Sequence, residues 1–84
     1  MMFEVEYNSQ SKKFLKNADK NLVERIIKKL EEVRENPFRY LEHYEGDKCY
    51  KLRIGDYRAL IDVDSEKKIL LVRVLDKRGR IYKR

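Results

Sequence analysis

The sequence predicts an α+β domain with the order β-α-α-β-β-β(-β): an antiparallel-dominated twisted sheet carrying a two-helix hairpin on one face. Three observations predict it. The chain opens on an alternation of apolar and charged residues. Residues 9–35 then carry apolar positions at helical spacing. The second half is a succession of short β-branched and aromatic runs broken by turn signals. A length of 84 residues suits a single domain covering 1–84.

The first strand is predicted at 2–7, where Phe3, Val5 and Tyr7 fall on one side and Glu4 and Glu6 on the other. Asn8 or Ser9 can cap a short helix over 10–16, whose apolar contribution is Phe14 and Leu15. A longer helix is predicted over 19–35. Its stripe is Leu22, Val23, Ile26, Ile27, Leu30 and Val33, with Glu24 and Lys28 paired on the other face. Asn36-Pro37 ends it, because proline disfavours the α conformation of its predecessor. Residues 38–47 read as a loop. Strands follow at 48–54, 57–63 and 68–75, with a turn at 64–67 and a short last strand at 80–83.

Gly55-Asp56 decides which side chains share a face. A two-residue loop with glycine first suits a type II′ turn, and that turn fixes the register. Ile54 then faces Tyr57, Arg53 faces Arg58, Leu52 faces Ala59, Lys51 faces Leu60 and Tyr50 faces Ile61. One face carries Tyr50, Leu52, Ile54, Tyr57, Ala59 and Ile61, an apolar set that should pack on the helices. The other carries Cys49, Lys51, Arg53, Arg58, Leu60 and Asp62. Directly opposed arginines cost up to about 1 kcal/mol. A surface shaped only for stability would pair them with carboxylates, so Lys51, Arg53 and Arg58 are candidates for binding an anion.

The charge balance points the same way. Residues 1–46 hold nine Lys/Arg and nine Asp/Glu, whereas residues 47–84 hold twelve and six. The whole formal excess of +6 therefore lies in the second half, which implies an anionic partner, nucleic acid above all. A second cationic cluster closes the chain: Arg73, Lys77, Arg78, Arg80, Lys83 and Arg84, with Tyr82 among them. A phenol beside guanidinium groups can stack on a base while the cations hold phosphates.

Other chemistries lack their residues. One histidine and one cysteine give no metal-ligand spacing, and no cofactor is expected. No Ser/His/Asp set and no phosphate-cradling glycine loop is present. His43 falls in the predicted loop and reads as structural or exposed, and Cys49 has no obvious activating base. No apolar run is long enough to span a bilayer and no signal peptide is recognisable, so a cytoplasmic protein without membrane association is expected. The single cysteine fits a reducing compartment. A hydrolase built on this chain would have to work through Lys, Arg and Tyr.

The run Cys49-Tyr50-Lys51-Leu52-Arg53-Ile54-Gly55-Asp56-Tyr57-Arg58, the preceding Asn36-Pro37 and the closing Asp76-Lys77-Arg78-Gly79-Arg80-Ile81-Tyr82 resemble the RelE/ParE toxin superfamily. The chain is most similar to its RelE branch, and the likeness extends over essentially its whole length. The resemblance implies the toxin of a type II toxin–antitoxin system, an endoribonuclease that cleaves messenger RNA in the ribosomal A site without a metal. It implies Lys51 and Arg53 as basic catalytic side chains, Arg58 as a transition-state cation, Arg78 beside the leaving group and Tyr82 against the substrate. Lys48, Arg73, Lys77, Arg80, Lys83 and Arg84 complete the expected RNA-binding set. Arg53 stands where the best-known members have a second lysine. It stays protonated, so it suits an anion clamp better than a base. Lys51, crowded by two arginines, is the candidate base.

The resemblance also implies partners: a RelB-like antitoxin with amphipathic helices and acidic side chains, and the ribosome with its message. Two other readings share the fold. One is a ParE-like inhibitor of DNA gyrase with no ribonuclease site. The other is a non-catalytic RNA- or ribosome-binding relic.

Overall fold

The alternation at the start of the chain folds as β1 (Glu4–Tyr7). The structure, a computed structural model, describes residues 2–43 and 49–77. Phe3 is buried while Glu4 and Glu6 point outward, and Val5 and Tyr7 pack half-buried on the core. Asn8 caps α1 (Ser9–Asn17), its side-chain oxygen accepting from the Ser11 amide at 3.0 Å. Phe14 and Leu15 pack against the core as predicted, but the fully buried residue of α1 is Ser11. Its hydroxyl donates to the Val72 carbonyl at 2.8 Å, tying helix to sheet.

Asp19 caps α2 (Lys20–Val33), accepting from the Leu22 amide at 2.9 Å. The predicted apolar stripe is narrower than drawn. Leu22, Ile26, Leu30 and Val33 are buried, whereas Val23 and Ile27 lie half-buried on its flank. The helix also stops before Glu35, because Arg34 caps it and turns toward β1. Its backbone carbonyl accepts from the Phe3 amide at 2.9 Å, and its side chain donates to the Phe3 carbonyl at 2.9 Å.

The described part of the predicted loop, residues 38–43, is not simply a loop. Proline at the first helical position starts one further turn, α3 (Pro37–Tyr40), because its fixed φ suits N1 and its missing N–H is not needed there. Leu41 is then extended and buried, and the chain enters the sheet as β2 (Glu42–His43).

The second half gives β3 (Cys49–Ile54), β4 (Tyr57–Asp64) and β5 (Ile69–Lys77). Asp64 shapes the β4–β5 turn by accepting from the amides of Glu66 at 3.1 Å and Lys67 at 2.9 Å. The sheet order is β1-β5-β4-β3-β2, with β1 parallel to β5 and every other pair antiparallel. The short strand predicted at 80–83 lies outside the described residues. The core sits between one face of the sheet and the helices: α1 lies against β5 and β1, and α2 against β3.

Candidate functional site

The β3–β4 hairpin takes the predicted register throughout, including Arg53 opposite Arg58 and Lys51 opposite Leu60. Gly55 has φ +60°, and Lys68 is the described non-glycine residue with positive φ, so Asp56 has a negative one. That combination belongs to a type II′ turn. Leu52, Ile54, Ala59 and Ile61 are buried on the helix side, with Tyr50 and Tyr57 packed against them. Lys51, Arg53 and Arg58 therefore emerge together on the opposite, outer face.

They converge on a cleft of about 160 Å³ lined by Tyr40, Glu42, Lys51, Arg53 and Arg58. Glu42 is cross-strand to Lys51, and its carboxylate stands 3.5 Å from the ammonium. The pair is open to water, with 36% of the Lys51 side chain and 74% of the Glu42 side chain exposed, so it holds the lysine only loosely. Lys51 is thus not surrounded by cations alone, as the hairpin register by itself suggested. Arg53 is exposed and Arg58 half-buried. On the far side of Arg58, the buried Asp76 of β5 is its cross-strand neighbour, placing an acid beside the deepest cation of the cleft.

A bulge in β5 opposite Leu60 and Ile61 rearranges the second cationic cluster. Val72 and Leu75 are both buried on the helix side, so the extra residue sends both Arg73 and Val74 to the outer face. Arg73 reaches Asp62 there at 3.4 Å and does not line the cleft. Lys77 is cross-strand to Tyr57, so alternation gives it the helix side of the sheet, and it is exposed rather than part of the cleft. Lys48, Arg78, Arg80, Tyr82, Lys83 and Arg84 lie outside the described residues. His43 is exposed, its ring edge-on to Tyr50 at 5.2 Å, and Cys49 is buried.

Tyr40, Glu42 and Asp76 are the site residues that sequence reasoning missed. Tyr40 closes a helical turn and Glu42 opens a two-residue strand, so neither lies in a repeat long enough to read from the sequence. Among the described residues no group of three His, Cys, Asp or Glu side chains could hold a metal ion, and no helix is long and apolar enough to cross a membrane.

Comparison with known proteins places this geometry. No curated protein sequence matches the chain significantly. The fold is similar to that of the RelBE2 toxin–antitoxin complex of Mycobacterium tuberculosis, with a TM-score of 0.82 at 17% identity over 93% of this chain and 100% of that one. It is similar to a substituted form of the E. coli toxin RelE in the free state, with a TM-score of 0.79 at 28% identity over 99% of this chain and 93% of that one. The intact E. coli RelBE toxin–antitoxin complex matches with a TM-score of 0.77 at 27% identity over 93% and 99%. The family model for the ParE toxin of type II toxin–antitoxin systems matches residues 5–81. The cation-lined hairpin therefore sits on a toxin scaffold, and the chain belongs to the ParE toxin family within the RelE/ParE superfamily of type II toxin–antitoxin systems.

Proposed function

We propose that this toxin is a metal-independent endoribonuclease that cuts messenger RNA on the ribosome. The observation that carries the proposal is the cleft itself, where Lys51, Arg53 and Arg58 converge from two strands. A purely structural sheet surface gains nothing from opposing two arginines. A surface that binds a phosphodiester does, since the pentavalent transition state gathers negative charge that preorganised cations stabilise. Likeness to E. coli RelE at 28% identity supports the RelE reading over others of the fold.

In this mechanism the ribose 2′-oxygen attacks the adjacent phosphorus and the bond from phosphorus to the 5′-oxygen breaks. The products are a 2′,3′-cyclic phosphate and a 5′-hydroxyl. Arg53 and Arg58 hold the non-bridging oxygens. Lys51 takes the 2′-hydroxyl proton as general base, and the ammonium so formed is held by the Glu42 carboxylate beside it. Arg78 donates to the leaving oxygen and Tyr82 stacks on the substrate. Lys48, Arg73, Lys77, Arg80, Lys83 and Arg84 supply longer-range attraction for the RNA backbone. The ribosome orients the message, which allows a site this sparse in acid and base groups to work. An antitoxin that covers the cationic face restrains the toxin, as RelB accompanies RelE in the E. coli and archaeal complexes.

A second reading has its own support, since the matching family model is that of ParE. ParE-like inhibition of DNA gyrase would use the fold as a protein-binding surface. Two assays run side by side separate the readings: cleavage of a message on translating ribosomes, and supercoiling by purified gyrase. Cleavage with unimpaired supercoiling supports the nuclease. Blocked supercoiling with an intact message supports the gyrase inhibitor. Salt-dependent ribosome binding with neither effect would mark a non-catalytic relic.

A further inference from the structure

One wall of the cleft has no part in holding the phosphate. Tyr40 closes α3, packs half-buried against the core and lines the same cleft as Lys51, Arg53 and Arg58. Its position follows from the backbone. The helical turn ends at Tyr40, and Leu41 after it is extended and buried. Glu42, two residues on, pairs with Lys51 and lines the same cleft. The ring is also buttressed from α2: the Lys29 ammonium lies over it at 4.9 Å from the centroid, and the Glu32 carboxylate lies 3.7 Å from the same ammonium.

A half-buried ring fixed by packing, with a cation over one π face and part of its surface lining a cationic cleft, is suited to take a flat π partner. The bases of a phosphodiester lie within a few ångströms of its phosphate, and single-strand binding sites pair cationic grooves with aromatic platforms. We propose that Tyr40 is a second nucleobase platform of this site beside Tyr82, stacking on the base of a nucleotide that adjoins the phosphate held by Arg53 and Arg58. The inference rests on the nuclease reading and extends it to recognition of a further base from the wall of the cleft formed by Tyr40. A ring seated in the cleft and pre-ordered by Lys29 loses little freedom when the base arrives, so its contribution persists in the ground state and raises affinity rather than the chemical rate.

The test is a double comparison on ribosome-bound message under single-turnover conditions. The proteins are wild type, Tyr40→Phe and Tyr40→Leu. The messages are an intact one and ones carrying a single abasic ribonucleotide on either side of the cut. Tyr40→Phe keeps the ring and is expected to keep the rate. Tyr40→Leu keeps apolar volume for the core but loses the stacking surface. It is expected to lose roughly 5- to 150-fold in apparent affinity, with little change in the saturated rate. One abasic message should cost wild type a similar factor and cost Tyr40→Leu nothing further. Thermal melting of each variant, measured alongside, reports whether the fold survives. If folded Tyr40→Leu cleaves like wild type, or suffers equally from every abasic message, the platform is refuted while the nuclease reading stands. If the wild-type protein leaves the message intact, the nuclease reading fails and takes the platform with it.

Discussion

Gly55→Ala is the perturbation that bears most directly on how the cationic face is assembled. Gly55 holds φ +60° at the first turn position of the β3–β4 hairpin, where an L side chain is strained whatever the surrounding space. Residues held in such sparsely populated backbone regions cost about 1–3 kcal/mol each. A methyl group there would also run into the Arg25 guanidinium of α2. That second term is smaller, because the obstacle is the far end of a flexible, exposed side chain that can swing aside. The expected loss is therefore about 1–3 kcal/mol, set by the backbone. For a domain of this size each 1 kcal/mol shifts Tm by roughly 4–8 °C, so calorimetry should record a drop of about 4–24 °C. Adding Arg25→Ala to Gly55→Ala relieves the contact alone and should return only a minor part of it. Gly55→Ala within 0.5 kcal/mol of wild type would refute the claim that this turn demands glycine. So would near-complete recovery in the double variant, which would put the cost in the contact instead of the backbone.

Other expectations concern the core, a cap and a half-buried phenol. Ile26 is fully buried at the centre of the α2 stripe, so Ile26→Ala should cost about 2–5 kcal/mol in urea unfolding. Asp19→Ala removes the cap on the Leu22 amide and should cost about 0.5–2 kcal/mol by the same measurement. Burial, and then the neighbouring Glu31 carboxylate, raise the Tyr7 phenol above its usual 10.0. The folded state thus holds that proton more tightly than the unfolded chain. The associated stability is fully present below about pH 10 and is lost as pH rises from there through the folded-state value. Denaturation monitored between pH 9 and 11.5 should show the fall, and Tyr7→Phe should flatten it. An equal fall in Tyr7→Phe would assign the effect to other groups.

The hairpin and its register were legible in the sequence because two periodicities agreed there. A glycine-first turn set the pairing, and the alternation of Leu52, Ile54, Ala59 and Ile61 against Lys51, Arg53 and Arg58 left one orientation free of buried cations. The stripe of α2 was legible for a similar reason. The entry into β2 was harder to see: two residues of strand give too short a repeat, and a single turn of helix after Pro37 obscures it. Glu42 reaches the cleft through that edge strand, and Tyr40 from the helical turn before it. Asp76 was missed because its neighbour Arg58 lies on another strand, and the β5 bulge changes which residues of that strand face outward. The same bulge separates Arg73 from the cleft although both lie on the outer face. A linear charge count could not show either point.

The central claim is that Lys51, Arg53 and Arg58 form a site for a scissile phosphodiester, and Arg58 is its deepest member. The most direct measurement is the single-turnover rate of message cleavage on programmed ribosomes for Arg58→Ala against wild type. Loss of one preorganised transition-state cation should slow the reaction roughly 10²- to 10³-fold while the protein remains folded by circular dichroism. A folded Arg58→Ala that cleaves at the wild-type rate would contradict the account.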